Sequence, residues 1–204
     1  LELVRASGGD DDELAGRTRL ALRAAGDRAF ALNSFGVAAA QYEDALTLWP
    51  DDGERPELMF RYARALFLAY DEERRYEALE AARNALVAAG DPNRASEAES
   101  FLAQVAWYRG DGEAARTHLG RAEELAGDAV SPSAARVLAV SARMRVIAEE
   151  SAEGRRLAES ALAMADQLQL DELRAHALTT VGMAKNAEGD VVARDGTTQR
   201  ERRL

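Results

Sequence analysis

The chain contains no cysteine, so disulfides and thiolate chemistry are excluded. It has only four prolines in 204 residues, and runs of β-branched residues are rare, which leaves little to interrupt helices. No apolar run is long enough to span a bilayer. The opening LELVRASGGDDDE has neither the basic nor the apolar region of a signal peptide. Lysine occurs once, at Lys185, and histidine twice, at His118 and His176, too far apart in sequence for a helical metal pair. No GxxxxGK[ST] phosphate loop is present, and no GxGxxG follows a strand pattern. Serines and threonines have no base at a recognisable offset, and carboxylate runs such as Asp71-Glu72-Glu73 and Glu149-Glu150 fall at turns. Catalysis, metal binding and cofactor binding are therefore not expected. The formal charge of −10 speaks against direct nucleic-acid binding.

What the chain has is alanine, leucine and helical periodicity. Leu22 to Pro50 reads as a helical hairpin: two apolar-periodic segments meet at Asn33-Ser34, and Trp49-Pro50 stops the second. The same pattern predicts helices near 11–32, 34–49, 57–70, 74–90, 94–110, 113–127, 133–148, 154–170 and 171–189, with an irregular tail from Asp190. Residues 1–6 read as the end of a helix closed by Ser7-Gly8-Gly9, and Asp10 to Asp12 supply an N-cap and acidic first turn. GGDDD superficially matches the GGDEF signature of cyclic-dinucleotide synthases, but no strands surround it, and capping explains it. Both ends look cut from continuing helices, and the absence of an initial methionine reads as a piece of something larger.

Small residues repeat along the first helices at Gly26, Ala63, Ala103, Ala142 and Gly182. In the second helices they fall at Ala38, Ala78, Ala115 and Gly154, and again at Ala45, Ala85, Ala122 and Ala161. The last set recurs at intervals of 40 (45 to 85), 37 (85 to 122) and 39 (122 to 161). A near-constant interval of this size predicts an all-α fold, an α-solenoid of antiparallel hairpins held close by small residues. The repeats are expected near 12–50, 56–90, 92–128, 132–169 and, in part, 171–190, with 191–204 atypical. There, Arg200 and Arg203 align with Ala158 and Ala161, so this segment is expected either to fail as a packed second helix or to keep both arginines in solvent.

Phe35, Ala38, Tyr42, Ala45 and Pro50 together resemble the second-helix signature of the tetratricopeptide repeat (TPR) family. Leu22, Ala25 and Gly26 resemble its first-helix signature, as do Leu102-Ala103 with Gly110-Asp111 and Val181-Gly182 with Gly189-Asp190. The resemblance covers roughly 20–190, a right-handed superhelix of four repeats and the start of a fifth, with longer turns than the usual period of about 34. The wording AGDRAFALNSFGVAAAQYEDALTLWP is also similar to helical-repeat regions of large bacterial signalling ATPases, which pair an ATPase with a nucleotide-cyclase or DNA-binding module.

The resemblance implies a concave groove lined by the first helices. Its frame places Arg23, Asp27 and Phe30 there from the first repeat, and Glu57, Phe60, Arg64, Phe67 and Leu68 from the second. Glu97, Gln104, Trp107 and Tyr108 follow from the third, Arg136, Arg143 and Val146 from the fourth, and His176, Met183 and Asn186 from the fifth. Aromatics and arginines are enriched at binding hot spots. Packing between hairpins is the plain alternative for each aromatic. Arginines spaced along one groove suit an acidic or phosphorylated peptide, although Glu57 and Glu97 enter the same face. The resulting expectation is a non-enzymatic interaction and regulatory scaffold of a larger cytoplasmic signalling or transcription-regulating protein. Its partner is a protein or peptide, with self-association through the exposed terminal repeats and no membrane contact. The alternative is an effector-sensing domain that binds a small molecule and controls an attached ATPase. A deep apolar pocket closed by Phe60, Phe67 and Trp107 would favour the sensor, and an open polar and aromatic groove the peptide.

Overall fold

The computed structural model describes residues 11–50 and 53–201, with side chains described at 13–50 and 53–189. Among the described residues the structure is helical throughout, with no strand. The helices are α1 (Asp11–Ala31), α2 (Phe35–Leu48), α3 (Arg55–Leu68), α4 (Arg75–Ala88) and α5 (Pro92–Tyr108). α6 (Gly112–Ala126), α7 (Pro132–Ile147), α8 (Ser151–Gln167) and α9 (Asp171–Glu201) complete them. Consecutive helices pair as hairpins, and each hairpin packs on the next, with α9 against α8 and α7. This is an α-solenoid, since no hairpin buries its apolar face alone.

Local chemistry sets the helix boundaries. The side chains of Asp91, Asp111 and Ser131 accept hydrogen bonds from the backbone N–H of Arg94, Ala114 and Ala134, satisfying donors of the first turn. Pro92 and Pro132 open helices where no N–H is needed. The helices α1, α3, α5 and α7 each end on a residue with left-handed backbone: Asn33, Tyr70, Gly110 and Glu149. The next N–H then folds back onto the last turn, as Asp71 N does to Leu66 O (3.0 Å) and Glu150 N to Arg145 O (2.9 Å). Tyrosine and glutamate adopt this backbone at a cost of about 1 kcal/mol each, against none for Gly110. These caps recur at 37 (33 to 70), 40 (70 to 110) and 39 (110 to 149) residues.

The core follows the same intervals. Ala38, Ala45, Ala82, Ala122 and Ala161 are all buried on the second helices, as are Ala63, Ala103 and Ala142 on the first. The second repeat differs from the sequence-based frame, because Ala78 and Ala85 are only partly buried and Ala82 takes the close-contact position. An alanine-rich helix carries several parallel rows of small residues, and periodicity alone cannot choose among them. Arg75 then stands where Ala38, Ala115 and Gly154 stand in the other repeats, and is 2% exposed. Its Nη2 donates to Glu72 Oε1 at 2.6 Å, while Nε has no hydrogen bond. Replacing Ala45 or Ala161 by leucine is expected to destabilise the array by about 1–3 kcal/mol, measured by chemical denaturation, because both methyls are buried and a larger side chain there overpacks the core.

The C-terminal part also departs from expectation. α8 begins at Ser151 rather than Gly154, and Gly182 is exposed while Thr180 and Ala184 are buried. α9 does not stop at Asp190 but runs on to Glu201. Without proline, Gly189 and Gly196 weaken the helix by about 1 kcal/mol each but do not end it. The side chain of Arg200 and all of Arg203 lie outside the described residues, as do residues 1–10.

Candidate partner-binding groove

The first helices α1, α3, α5, α7 and α9 together line a concave surface holding two large connected chambers, each of about 610 Å³. Phe30, Ala31, Arg64, Glu97 and Arg136 border both, so they form one groove.

The first chamber is walled by charge. Asp27 accepts from Tyr42 Oη (2.8 Å) and Arg61 Nη1 (2.6 Å), and Arg61 Nε donates to Glu57 at 3.0 Å. Glu57 also pairs with Arg94, whose Nη1 reaches Asp91 at 2.6 Å. Opposite, buried Glu97 accepts from Ser133 Oγ (2.6 Å) and Arg136 Nη1 (3.2 Å). Burial works to lower the Arg61 pKa, but its bonds to Asp27 and Glu57 outweigh that and raise it. Burial and the bond to Asp27 push the Tyr42 hydroxyl well above its ordinary value. The four arginines here face four carboxylates, so the chamber has no net charge.

Arg64 is the exception. Its guanidinium lies over the Phe30 ring at 4.9 Å and has no carboxylate within ion-pair distance among the described residues. Burial lowers its pKa, with Glu97 only partly offsetting this and Arg136 adding to it. Incomplete compensation of a half-buried cation makes Arg64 a ready donor to an incoming anion.

The second chamber is aromatic. Phe67 and Phe101 pack with centroids 4.7 Å apart, and Phe30 meets Phe35 edge-on at 5.1 Å. Leu68, Val140 and Leu173 extend this wall, while Gln104 and His176 bring polar groups. Beyond them a smaller recess of about 140 Å³ is lined by Gln104, Trp107, Tyr108, Arg143 and His176. Burial, followed by the charge of Arg143, holds the His176 pKa below its usual value, so the ring is neutral at pH 7.

The structure therefore brings Arg64, Phe67, Gln104, Trp107, Tyr108, Arg136 and Arg143 to one continuous surface. Phe60 borders the first chamber but is 5% exposed and belongs to the core between hairpins. Arg23 is engaged elsewhere, over the Trp49 ring at 5.1 Å and bonded to Glu54 at 3.1 Å. Val146 is buried against Gly154 rather than facing the groove. Met183 stands exposed on α9, about two turns beyond His176. The sequence frame missed Arg61, Arg94, Asp91 and Ser133. Arg61 stands one turn from Glu57 on α3, but it meets Asp27 of α1 only after folding, and the helix starts at Asp91 and Ser133 read simply as caps.

Among the described residues no group of histidine and acidic side chains could hold a metal ion, and no helix is long and apolar enough to cross a membrane.

No protein-family model matches the chain, and no curated protein matches it by sequence. Solved structures match its fold. BtubC (BKLC) from P. vanneervenii superposes with a TM-score of 0.69 at 17% identity, covering 99% of this chain and 85% of BtubC. TPR-like repeats from Podosopora anserina, described as kinesin light chain, superpose with a TM-score of 0.62 at 16% identity, covering 92% and 94%. A single-substitution variant of those repeats gives 0.63. The fold is thus a TPR-like helical repeat.

Proposed function

We propose that this array is a protein-interaction scaffold that holds an extended peptide segment in the groove of its first helices. The observation that carries the reading is Arg64. It is the arginine of the first chamber that holds no ion pair among the described residues, and it stands at the junction of a polar and an aromatic chamber. The segment that fits has one carboxylate or phosphate near Arg64 and apolar side chains against Phe67 and Phe101. Strongly acidic peptides gain little more, because most groove arginines already hold carboxylates. Phe60, Phe67 and Trp107 do not close one apolar pocket, which favours a peptide over an effector enclosed by those three side chains. Such a scaffold suits a larger cytoplasmic signalling or transcription-regulating protein.

The test is selection of peptides from a random phage-displayed library on the intact chain, followed by titration against variants. Arg64→Glu and Phe67→Ala are each expected to weaken the selected peptides at least about tenfold, in the range of a lost hot spot. Arg143→Glu should weaken only those reaching the recess beside His176. Thermal stability should change little for Arg143→Glu, whose side chain is exposed. Selected peptides that bind wild type and Arg64→Glu alike would overturn the reading.

A further inference from the structure

The recess of about 140 Å³ beside His176 differs in charge from the chamber of paired arginines. Three helices build it. Trp107 of α5 and Val140, Met144 and Ile147 of α7 give it an apolar lining, the last three spaced so that they share one side of their helix. Gln104, Arg143 and His176 bring polar groups to it from α5, α7 and α9.

No carboxylate lines this recess. Arg143 is exposed, and its guanidinium makes no hydrogen bond or ion pair among the described residues. Glu172, one turn before His176 on α9, borders the second chamber and not the recess. His176 is neutral and adds hydrogen-bonding capacity without charge. Gln104 gives one N–H to the Ser100 carbonyl at 3.3 Å, which leaves its other N–H and its oxygen for a ligand. A cation with no carboxylate of its own, beside an apolar hollow, selects an anion that carries an apolar group.

The geometry points to a binding site for a small monocarboxylate with a compact apolar body. The carboxylate accepts from the Arg143 guanidinium, and the body lies on Trp107, Val140 and Met144. The volume equals that of about five waters, which suits a body of about four or five carbons and excludes a long acyl chain. An ammonium would meet Arg143 as a like charge, and a second carboxylate would have to lie among apolar side chains. A free acid and the C-terminal residue of a chain share this chemistry. The site does not rest on the peptide reading, since a free acid needs no other contact in the groove.

The test titrates 3-methylbutanoate into the intact chain, with the Trp107 indole N–H and the Gln104 side-chain amide followed by NMR. Saturable shifts at both are expected, half-saturating in about the millimolar range for so small a ligand. 3-Methylbutanol lacks the charge and acetate lacks the body, so each should bind at least about tenfold more weakly. Arg143→Met keeps the aliphatic stem, removes the charge and should weaken binding at least about tenfold. Ile147→Glu sets a carboxylate four residues from Arg143, supplying the missing anion from within, and should abolish the response. Both positions are exposed, so the fold is kept and circular dichroism should be unchanged. N-Acetylleucine separates the sources: binding no tighter than 3-methylbutanoate assigns a free acid, and tighter binding the end of a chain. Arg64→Glu leaves the recess intact, so acid binding stands or falls separately from peptide binding. Shifts that do not saturate, that survive both substitutions, or that the alcohol or acetate matches overturn the assignment.

Discussion

Replacing Glu99 by alanine should cost about 3–5 kcal/mol of folding stability, because it strands buried charge rather than removing a surface contact. Glu99 is 1% exposed on α5. One carboxylate oxygen pairs with Arg83 of α4, and the other is 2.6 Å from His118 Nδ1 of α6. His118 is itself buried, with its far nitrogen 3.4 Å from the Tyr76 hydroxyl. The Tyr76 ring is covered in turn by Arg109 at 5.0 Å. The carboxylate thus joins three helices from two hairpins. Urea denaturation of Glu99→Ala measures the loss, which corresponds to a melting shift of roughly 6–20 °C in a chain of this length. The triple change Glu99→Leu, Arg83→Met, His118→Leu should recover most of it, since an apolar replacement leaves no stranded partner. A loss below about 1 kcal/mol for Glu99→Ala would show that solvent reaches this cluster.

Gly154→Ala gives the second large effect. A Cβ there would lie 2.5 Å from Val146 Cγ2 and 2.9 Å from both the Ala142 carbonyl oxygen and the Val146 nitrogen. The first can rotate away, but the other two are helix backbone, so α8 must move off α7. The expected cost is about 3 kcal/mol, at the upper end for overpacking, even though alanine favours helix by nearly 1 kcal/mol over glycine. Gly26→Ala provides the comparison. The three atoms nearest its Cβ would all belong to the Tyr42 ring, with Cε1 at 2.5 Å, although that ring is tethered to Asp27. The smaller loss belongs to Gly26, and the opposite order in equilibrium denaturation would contradict the packing.

These two sites show which parts of the molecule the sequence discloses. The hairpins were legible because helical periodicity, caps and a recurring interval all report local or nearest-neighbour structure. Gly154 was legible as a small residue at a regular position. Arg75 was not, because it occupies a site that three other repeats give to alanine or glycine. The cluster around Glu99 was equally hidden, since the segment SEAESF reads as an ordinary polar helix face until α4 and α6 close over it. In the groove, Arg64, Gln104 and Arg143 followed from the repeat frame. Arg23 did not, because Trp49, a residue from the end of the neighbouring helix, draws it aside. Ion pairs such as Asp27 to Arg61 join positions far apart in sequence and are visible only once the helices stack.

The internal pairing of groove charges has a kinetic consequence. A groove lined by unmatched arginines would draw an anionic segment from beyond the Debye length and speed encounter. Here Asp27, Glu57, Asp91 and Glu97 cancel that attraction at source, and the chain as a whole carries −10. An acidic segment of the proposed kind would therefore meet repulsion at long range and reach Arg64 only after docking. Its association would fall in the unsteered range of about 10⁵–10⁷ M⁻¹s⁻¹. Added salt, which slows most oppositely charged pairs, would here hasten the encounter, and selectivity would reside in how long the segment stays.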